Sequence, residues 1–310
     1  MKENENASIQ ESIEAEAAAI AEEERLESEE DVSMKAKLRE MFRTNKIAAA
    51  SAAIIVIFIL LTVFANFVAP YDSTKIDLIN RLKGPSLQHW FGTDDCGRDV
   101  LTRILFGGRM SLQIGLIPTF ISMVIGAVLG LISGYFGKKT DFIIMRFADI
   151  VLAFPSLLLA MVVMYTLGSS IFNLFISLSI ISWASTARVV RSQTLSIKES
   201  EFIEAAKSMG VNKWVVIFRH ILPNCLPSLI VLFTLNIPAS ILTEASLSFL
   251  GVGAQPPDTS WGLMISQGQA YAFQSPWMIV APGVAILIVV LAFNFLGDGL
   301  RDAIDPHTKQ

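Results

Sequence analysis

The chain is short of the residues that soluble enzymes use most often for chemistry. It holds 2 cysteines and 3 histidines in 310 residues, and only 17% of its residues are charged. His89, His220 and His307 lie far apart in sequence. No pair of them has the close spacing of metal ligands, so no metal centre is read. No Ser/His/Asp set converges on one side of the topology derived below, which argues against an intramembrane hydrolase. A nucleotide loop is missing too. The nearest approach is Gly134-Tyr135-Phe136-Gly137-Lys138-Lys139-Thr140. It has too few residues between its glycines and one lysine too many to cradle phosphates. The chain is therefore expected to carry no catalytic residue, no metal and no cofactor of its own.

Charge is scarce because apolar residues take its place. They make up 53% of the chain, and the mean hydropathy is +0.55. A soluble domain of this size keeps more of its surface polar. The apolar residues gather into runs of about 20, the length of a membrane-spanning helix. Six runs are read, at roughly 47–69, 111–136, 146–167, 171–187, 227–249 and 278–297. The third and fourth are parted only by Leu167-Gly168-Ser169-Ser170. Within the second, Gly126, Gly130 and Gly134 recur every four residues and suit close approach of a neighbouring helix.

Residues 1–33 carry 12 acidic and 2 basic side chains, whereas the remainder carries 16 and 22. With almost no large apolar residue, the acidic segment reads as a solvated, disordered tail. It does not have the basic start and apolar core of a signal peptide, so the first run reads as an uncleaved span. Lys and Arg between and beyond the spans divide 16 against 6, which places both termini in the cytoplasm. On this topology Cys96 falls outside and Cys225 near the inner face, so no disulfide joins them.

The longest basic loop, 188–226, carries the most information. Ser196-Ile197-Lys198-Glu199 has the pattern of a capping box. Phe202, Ala205, Ala206 and Met209 then repeat at helical spacing, and the run is expected to present one apolar face. Gly210 suits a left-handed stop, Asn212 suits the cap of a second short helix, and Pro223 is expected to end it. Two further residues stand out. Glu244 is the only acid well inside a predicted span, and an embedded charge is a candidate for the translocation path or for a peptide amine, against a hydrogen-bonded place near the outer interface, the reading that Ser246-Leu247-Ser248 close behind it favours. Asn236, beside Pro238, is a second path candidate, against a packing role at a proline kink. Arg146 and Asp149 are spaced to pair on one helix face. Arg188 and Arg191 end the fourth span, where either lipid phosphate or a cytoplasmic partner would suit them.

Glu204-Ala205-Ala206, Gly210 and Leu222-Pro223 resemble the EAA signature of ATP-binding-cassette importer permeases. His220 stands where that signature usually has an aliphatic residue, and His220-Ile221-Leu222-Pro223-Asn224 is the form of the peptide-permease branch. His89-Trp90-Phe91-Gly92-Thr93-Asp94 with Gly97-Arg98-Asp99, Ala153-Phe154-Pro155, Leu247-Ser248-Phe249-Leu250-Gly251 and Asn294-Phe295-Leu296-Gly297-Asp298-Gly299 resemble that branch as well. The match covers about 35–306, and the chain is similar to the C-type subunit of dipeptide and oligopeptide importers.

That resemblance implies an all-α integral membrane protein of six helices with the type I importer permease fold. Its parts would be the acidic tail 1–33, a first segment 34–70, an outer loop 71–110, a core 111–300 and a cytoplasmic end 301–310. Glu204, Ala205, Ala206, Gly210, Leu222 and Pro223 would couple it to ATPases. The implied partners are a homologous second permease, two ATPase subunits (or an ATPase homodimer) that hold ATP and Mg, an external substrate-binding lipoprotein and a peptide. Nucleic acid is not among them. The implied location is the cytoplasmic membrane of a bacterium or archaeon. Relatives that carry nickel chelates, glutathione or cell-wall peptides stay open, as do, from other classes, an ion-coupled secondary transporter and a membrane scaffold.

Overall fold

The computed structural model describes residues 36–304. The acidic tail and the last residues of the C-terminal segment lie outside the described residues. Within them the fold is helical, with no strand and a single isolated bridge between Thr93 and Asp99.

A short helix α1 (36–44) leads to Asn45, whose side chain accepts the Ala48 N–H at 3.0 Å and caps α2 (Lys46–Val63). A one-turn α3 (Ala65–Val68) follows, then a loop that runs to residue 99. The second helix, α4 (Val100–Phe136), has 37 residues, against 26 in the expected run 111–136. It starts early because Asp99 accepts the Thr102 N–H at 2.8 Å, a cap that stands outside the apolar run.

The third expected span, 146–167, is broken. Helices α5 (Lys138–Ala153) and α6 (Ser156–Leu167) meet at 93°. Pro155 has no N–H and excludes helical geometry from the residue before it, and Phe154 is extended at φ −94° and ψ 142°. The fourth span, α7 (Ile171–Lys198), is capped by Ser170 and runs eleven residues past the expected 171–187. Ser196-Ile197-Lys198-Glu199 is therefore the end of α7 and not a capping box. The next helix, α8 (Glu201–Ser208), starts at Ser200, whose hydroxyl donates back to the Ile197 carbonyl at 2.6 Å.

After a one-turn α9 (Lys213–Val215), the backbone winds through a π-helical turn, Val216–Ile221, straight into α10 (Leu222–Phe249). The expected break at Pro223 is absent. Pro223 sits in the first turn of α10, where the missing N–H costs least, behind a wider turn. Helix α11 (Trp261–Gly268) lies between α10 and the last helix, α12 (Trp277–Ile304). Five helices, with α9 to α10 counted as one, are long and apolar enough to cross a bilayer, or six spans if the bent α5–α6 pair counts as one.

The bundle has two ends. At one, the loop 69–99, α11 and the start of α12 gather; at the other stand α1, α8 and the C-terminus of α12. The largest core forms around the fully buried Trp261, whose indole donates to the Ile104 carbonyl at 2.9 Å and whose N–H donates to Ser111 at 3.0 Å. The closest helix seam joins α4 to α7. A Cβ added at Gly126, Gly130 or Gly134 would lie 2.7, 2.7 and 2.6 Å from Trp183, Ala187 and Thr194 respectively. The stripe read in the sequence is the contact itself.

Candidate coupling and translocation sites

Helix α8 turns two faces to different surroundings. Ile203 and Ala206 are buried with Tyr135, Val190, Val216 and Ile217. Phe202, Ala205 and Met209 point away, and Met209 is 77% exposed. The expected single apolar face is thus divided, with Ala206 turned inward. Glu204 is exposed on the same open surface. Tyr135, near the end of α4, holds α8 from beneath: Lys198 and Lys207 place their ammonium groups 5.4 and 5.9 Å from its ring centre.

Gly210 ends α8 at φ +78°, in the left-handed region that glycine enters without strain. The Val211 N–H reaches back to the Ala206 carbonyl at 3.1 Å, and the Gly210 N–H to Lys207 at 3.0 Å. Both bonds close the last turn. Asn212 then accepts the Trp214 N–H at 2.9 Å, the expected cap. Trp214 stacks on Phe218 and meets Phe136 edge-on. Leu222 and Pro223, half-buried, lie at the junction of the π turn with α10. A body docked on α8 is linked to α4 through Tyr135 and to α10 through an unbroken backbone.

The same end is braced by ion pairs. Arg191 grips Asp141 with two nitrogens, and Arg188 holds Asp149 at 2.7 Å. The expected Arg146–Asp149 pair is longer, at 3.8 Å. Both arginines of α7 are thus drawn to α5.

Glu244 is fully buried at the loop end. Its Oε1 accepts hydroxyls from Ser248 at 2.6 Å and Ser260 at 2.7 Å, whereas Oε2 has no partner. Ser248 accepts the Ala254 N–H and Ser260 the Leu263 N–H, so the carboxyl joins α10, the following loop and α11. Asn236, eight residues earlier, is half-buried. At about 100° per residue, it lies about 80° around α10 from Glu244.

The loop before α4 is a polar knot, built from residues of the His89–Asp99 segment whose pairing carries no local signature. Asp94 is 1% exposed and binds Arg103 at 2.6 Å and Arg98 at 2.7 Å, besides the N–H groups of Cys96 and Arg98. Arg103 reaches on to Gln267 of α11 at 2.9 Å. His89 meets Asp99 at 3.0 Å, and the Trp277 indole donates to the Thr93 carbonyl at 3.1 Å. Gly97, at φ +75°, lies against the Asp77 carbonyl where no Cβ fits. Cys96 and Cys225 are free thiols at opposite ends of the bundle.

Comparison with known proteins gives one pattern. Residues 126–310 match the family described as binding-protein-dependent transport system inner membrane component, and residues 36–85 match the N-terminal TM domain of oligopeptide transport permease C. The chain is 46% identical over 274 residues to the dipeptide transport system permease protein DppC of Alkalihalophilus pseudofirmus, covering 87% of this chain and 90% of that one. It is 43% identical over 283 residues to the glutathione transport system permease protein GsiD of Pectobacterium atrosepticum, covering 90% of this chain and 94% of that one. Among solved structures it resembles a chain of the MetNI methionine ABC transporter in an inward-facing conformation. The TM-score is 0.53 at 19% identity, over 66% of this chain and 98% of that one.

Proposed function

Because the chain belongs to the family of binding-protein-dependent transport system inner membrane components, as the permease subunit of an ABC importer, we propose that it carries peptides and is driven through α8 by separate ATPases. The protein is a multi-pass membrane protein. The α8 end faces the cytoplasm, since the 16 basic residues of the predicted inner segments gather there and at both termini. Two ATPase subunits bind ATP and Mg below it. A homologous second permease completes the pore, and an external binding lipoprotein delivers the substrate to the loop end. Peptide as substrate is supported by the 46% identity to a dipeptide permease and by the match of the first segment to an oligopeptide permease domain. Glutathione, itself a small peptide, is the second reading, favoured by the 43% identity to GsiD.

The observation that carries the coupling role is the divided α8. One face is anchored in the bundle, and Phe202, Ala205 and Met209 lie open beside Glu204. Closure of the ATPases moves α8, and Tyr135 and the π turn pass that motion to α4 and α10. Nucleotide state thus favours the inward- or outward-open arrangement by the difference in its contacts with the two.

The test is recovery of the solubilised complex with and without Gly210→Pro. Proline cannot take a φ of +78°, and it also removes the N–H bonded to Lys207. The native chain is expected to bring down a second permease and two ATPases and to support ATP-dependent peptide uptake. The variant is expected to reach the membrane without the ATPases. A variant that keeps them and transports at the native rate refutes the coupling role.

A further inference from the structure

A cavity of about 500 Å³ opens at the α8 end between α7, α10 and α12. Its lining includes Val189 and Gln193 of α7, Ser228, Leu232 and Leu235 of α10, and Arg301 of α12. Beyond the lining itself, polar residues continue along the same sides of the three helices. On α7, Ser185, Ser192 and Ser196 are exposed on the face that holds Val189. On α10, Ser228, Leu232 and Asn236 follow one another at four-residue steps, about 40° apart. On α12, the half-buried Asn294 and exposed Asp298 lead to Arg301 along one face. Faces turned to lipid are apolar, and polar side chains along spanning helices mark water or a route for solutes. Leu235 and Glu244 are nine residues apart, half a turn out of phase, so Glu244 looks away from the cavity.

Resting on the peptide reading above, we propose that this cavity is the inner stretch of the substrate route and that Arg301 receives the carboxylate of the passing peptide. The chemistry fits that ligand. Gln193 donates to Ser228 inside the lining and leaves its own carbonyl oxygen without a partner. Hydroxyls and amides offer weak, exchangeable bonds to peptide groups, and Val189, Leu232 and Leu235 tolerate varied side chains. Among the described residues Arg301 is the one cation in the lining. It forms no ion pair among the described residues; Asp298, one turn back, does not reach it. An exposed guanidinium at the mouth binds a carboxylate and releases it readily into water.

The experiment uses the assembled complex in proteoliposomes, with Cys96 and Cys225 replaced by serine and alanine. Single cysteines are placed by Val189→Cys, Leu232→Cys and, as a control on the exposed apolar side of α2, Ile57→Cys. A charged, membrane-impermeant methanethiosulfonate is expected to label the first two about tenfold faster than the control, and added peptide to slow it. Rates equal to the control, or labelling only by a lipid-soluble maleimide, would show that the cavity faces lipid or a partner chain, and would overturn the proposal. In the same membranes, Arg301→Gln is expected to lower uptake of a peptide with a free C-terminus about fivefold, with Arg301→Lys close to native and a C-terminally amidated peptide unaffected. Equal losses for both peptides would refute the carboxylate role. ATP-dependent uptake by the cysteine-free parent is measured first. Its absence refutes the functional reading, whereas uptake with unlabelled cavity positions refutes only the route.

Discussion

Replacing Gly130 by alanine tests the seam on which the bundle is built. The new Cβ would stand 2.7 Å from the Ala187 carbonyl oxygen and 2.8 Å from the Val190 Cβ, where ordinary contact begins at 3.4 Å. The first obstacle is backbone and cannot rotate away, so α4 and α7 must part locally by roughly 0.7 Å. That shift loosens the neighbouring contacts at Gly126 and Gly134, and gaps of this size forfeit about a quarter to a half of the dispersion energy of each atom pair. Overpacking of a tight interface costs about 1–3 kcal/mol, and the better helix propensity of alanine returns about 1 kcal/mol. The net expectation is a loss of up to about 2 kcal/mol. Gly283, on α12, is the internal control, because a Cβ there meets nothing within 4 Å. Gly283→Ala is expected to gain about 1 kcal/mol from propensity alone. Thermal unfolding of the purified complex, followed by loss of the monodisperse species, should therefore move in opposite directions for the two variants. A Gly130→Ala protein as stable as Gly283→Ala would refute the reasoning, since the seam would then yield at no cost.

Three further outcomes follow from the loop end. Arg103→Met leaves the buried Asp94 without its shortest ion-pair partner and is expected to cost about 3–5 kcal/mol, whereas Arg188→Met, in a half-exposed pair, should cost under about 1 kcal/mol; similar melting temperatures would contradict the knot's role. Glu244→Gln keeps an acceptor for Ser248 and Ser260 and should transport like the native chain, while Glu244→Leu strands both hydroxyls and should lower stability by about 1–3 kcal/mol; lost uptake in the glutamine variant at native stability would show that the charge itself acts. Burial, and after it the carboxylate of Asp95, push the Cys96 thiol above its ordinary range. Since the thiolate is the reacting form, its labelling rate should reach half-maximum at a higher pH than that of an exposed thiol, and an equal or lower midpoint would refute this.

The sequence was most legible where local chemistry decides the structure. Gly126, Gly130 and Gly134 form the seam that their spacing announced, Gly210 takes the left-handed stop, and Asn212 caps the next turn. The break at Phe154–Pro155 was written in the proline but hidden by an apolar run long enough to span without it. Continuity across Pro223 depends on a π turn, for which Val216–Ile221 carries no local signature. The division of α8 was illegible for another reason. Phe202 and Ile203 are both apolar, and only the position of Tyr135 decides which of them packs. Equally, nothing near Glu244 in the chain announces Ser260, which the fold brings to it from the next helix.

Pro118 stands at the exact midpoint of α4, with 18 residues to Val100 on one side and 18 to Phe136 on the other. It denies the backbone the bond that its neighbours make, so the helix is softest where its two arms are equal. Each arm is about 27 Å long at 1.5 Å per residue. The base of one arm is bolted through Arg103 to the polar knot before α4, and the tip of the other carries Tyr135 under α8. A bend of about 5° at the pivot swings either tip by roughly 2.4 Å, about half a helical turn of travel, without unwinding anything. On the coupling reading proposed above, α4 would act as a balance beam, in which a small displacement beneath α8 returns at equal amplitude at the loop end.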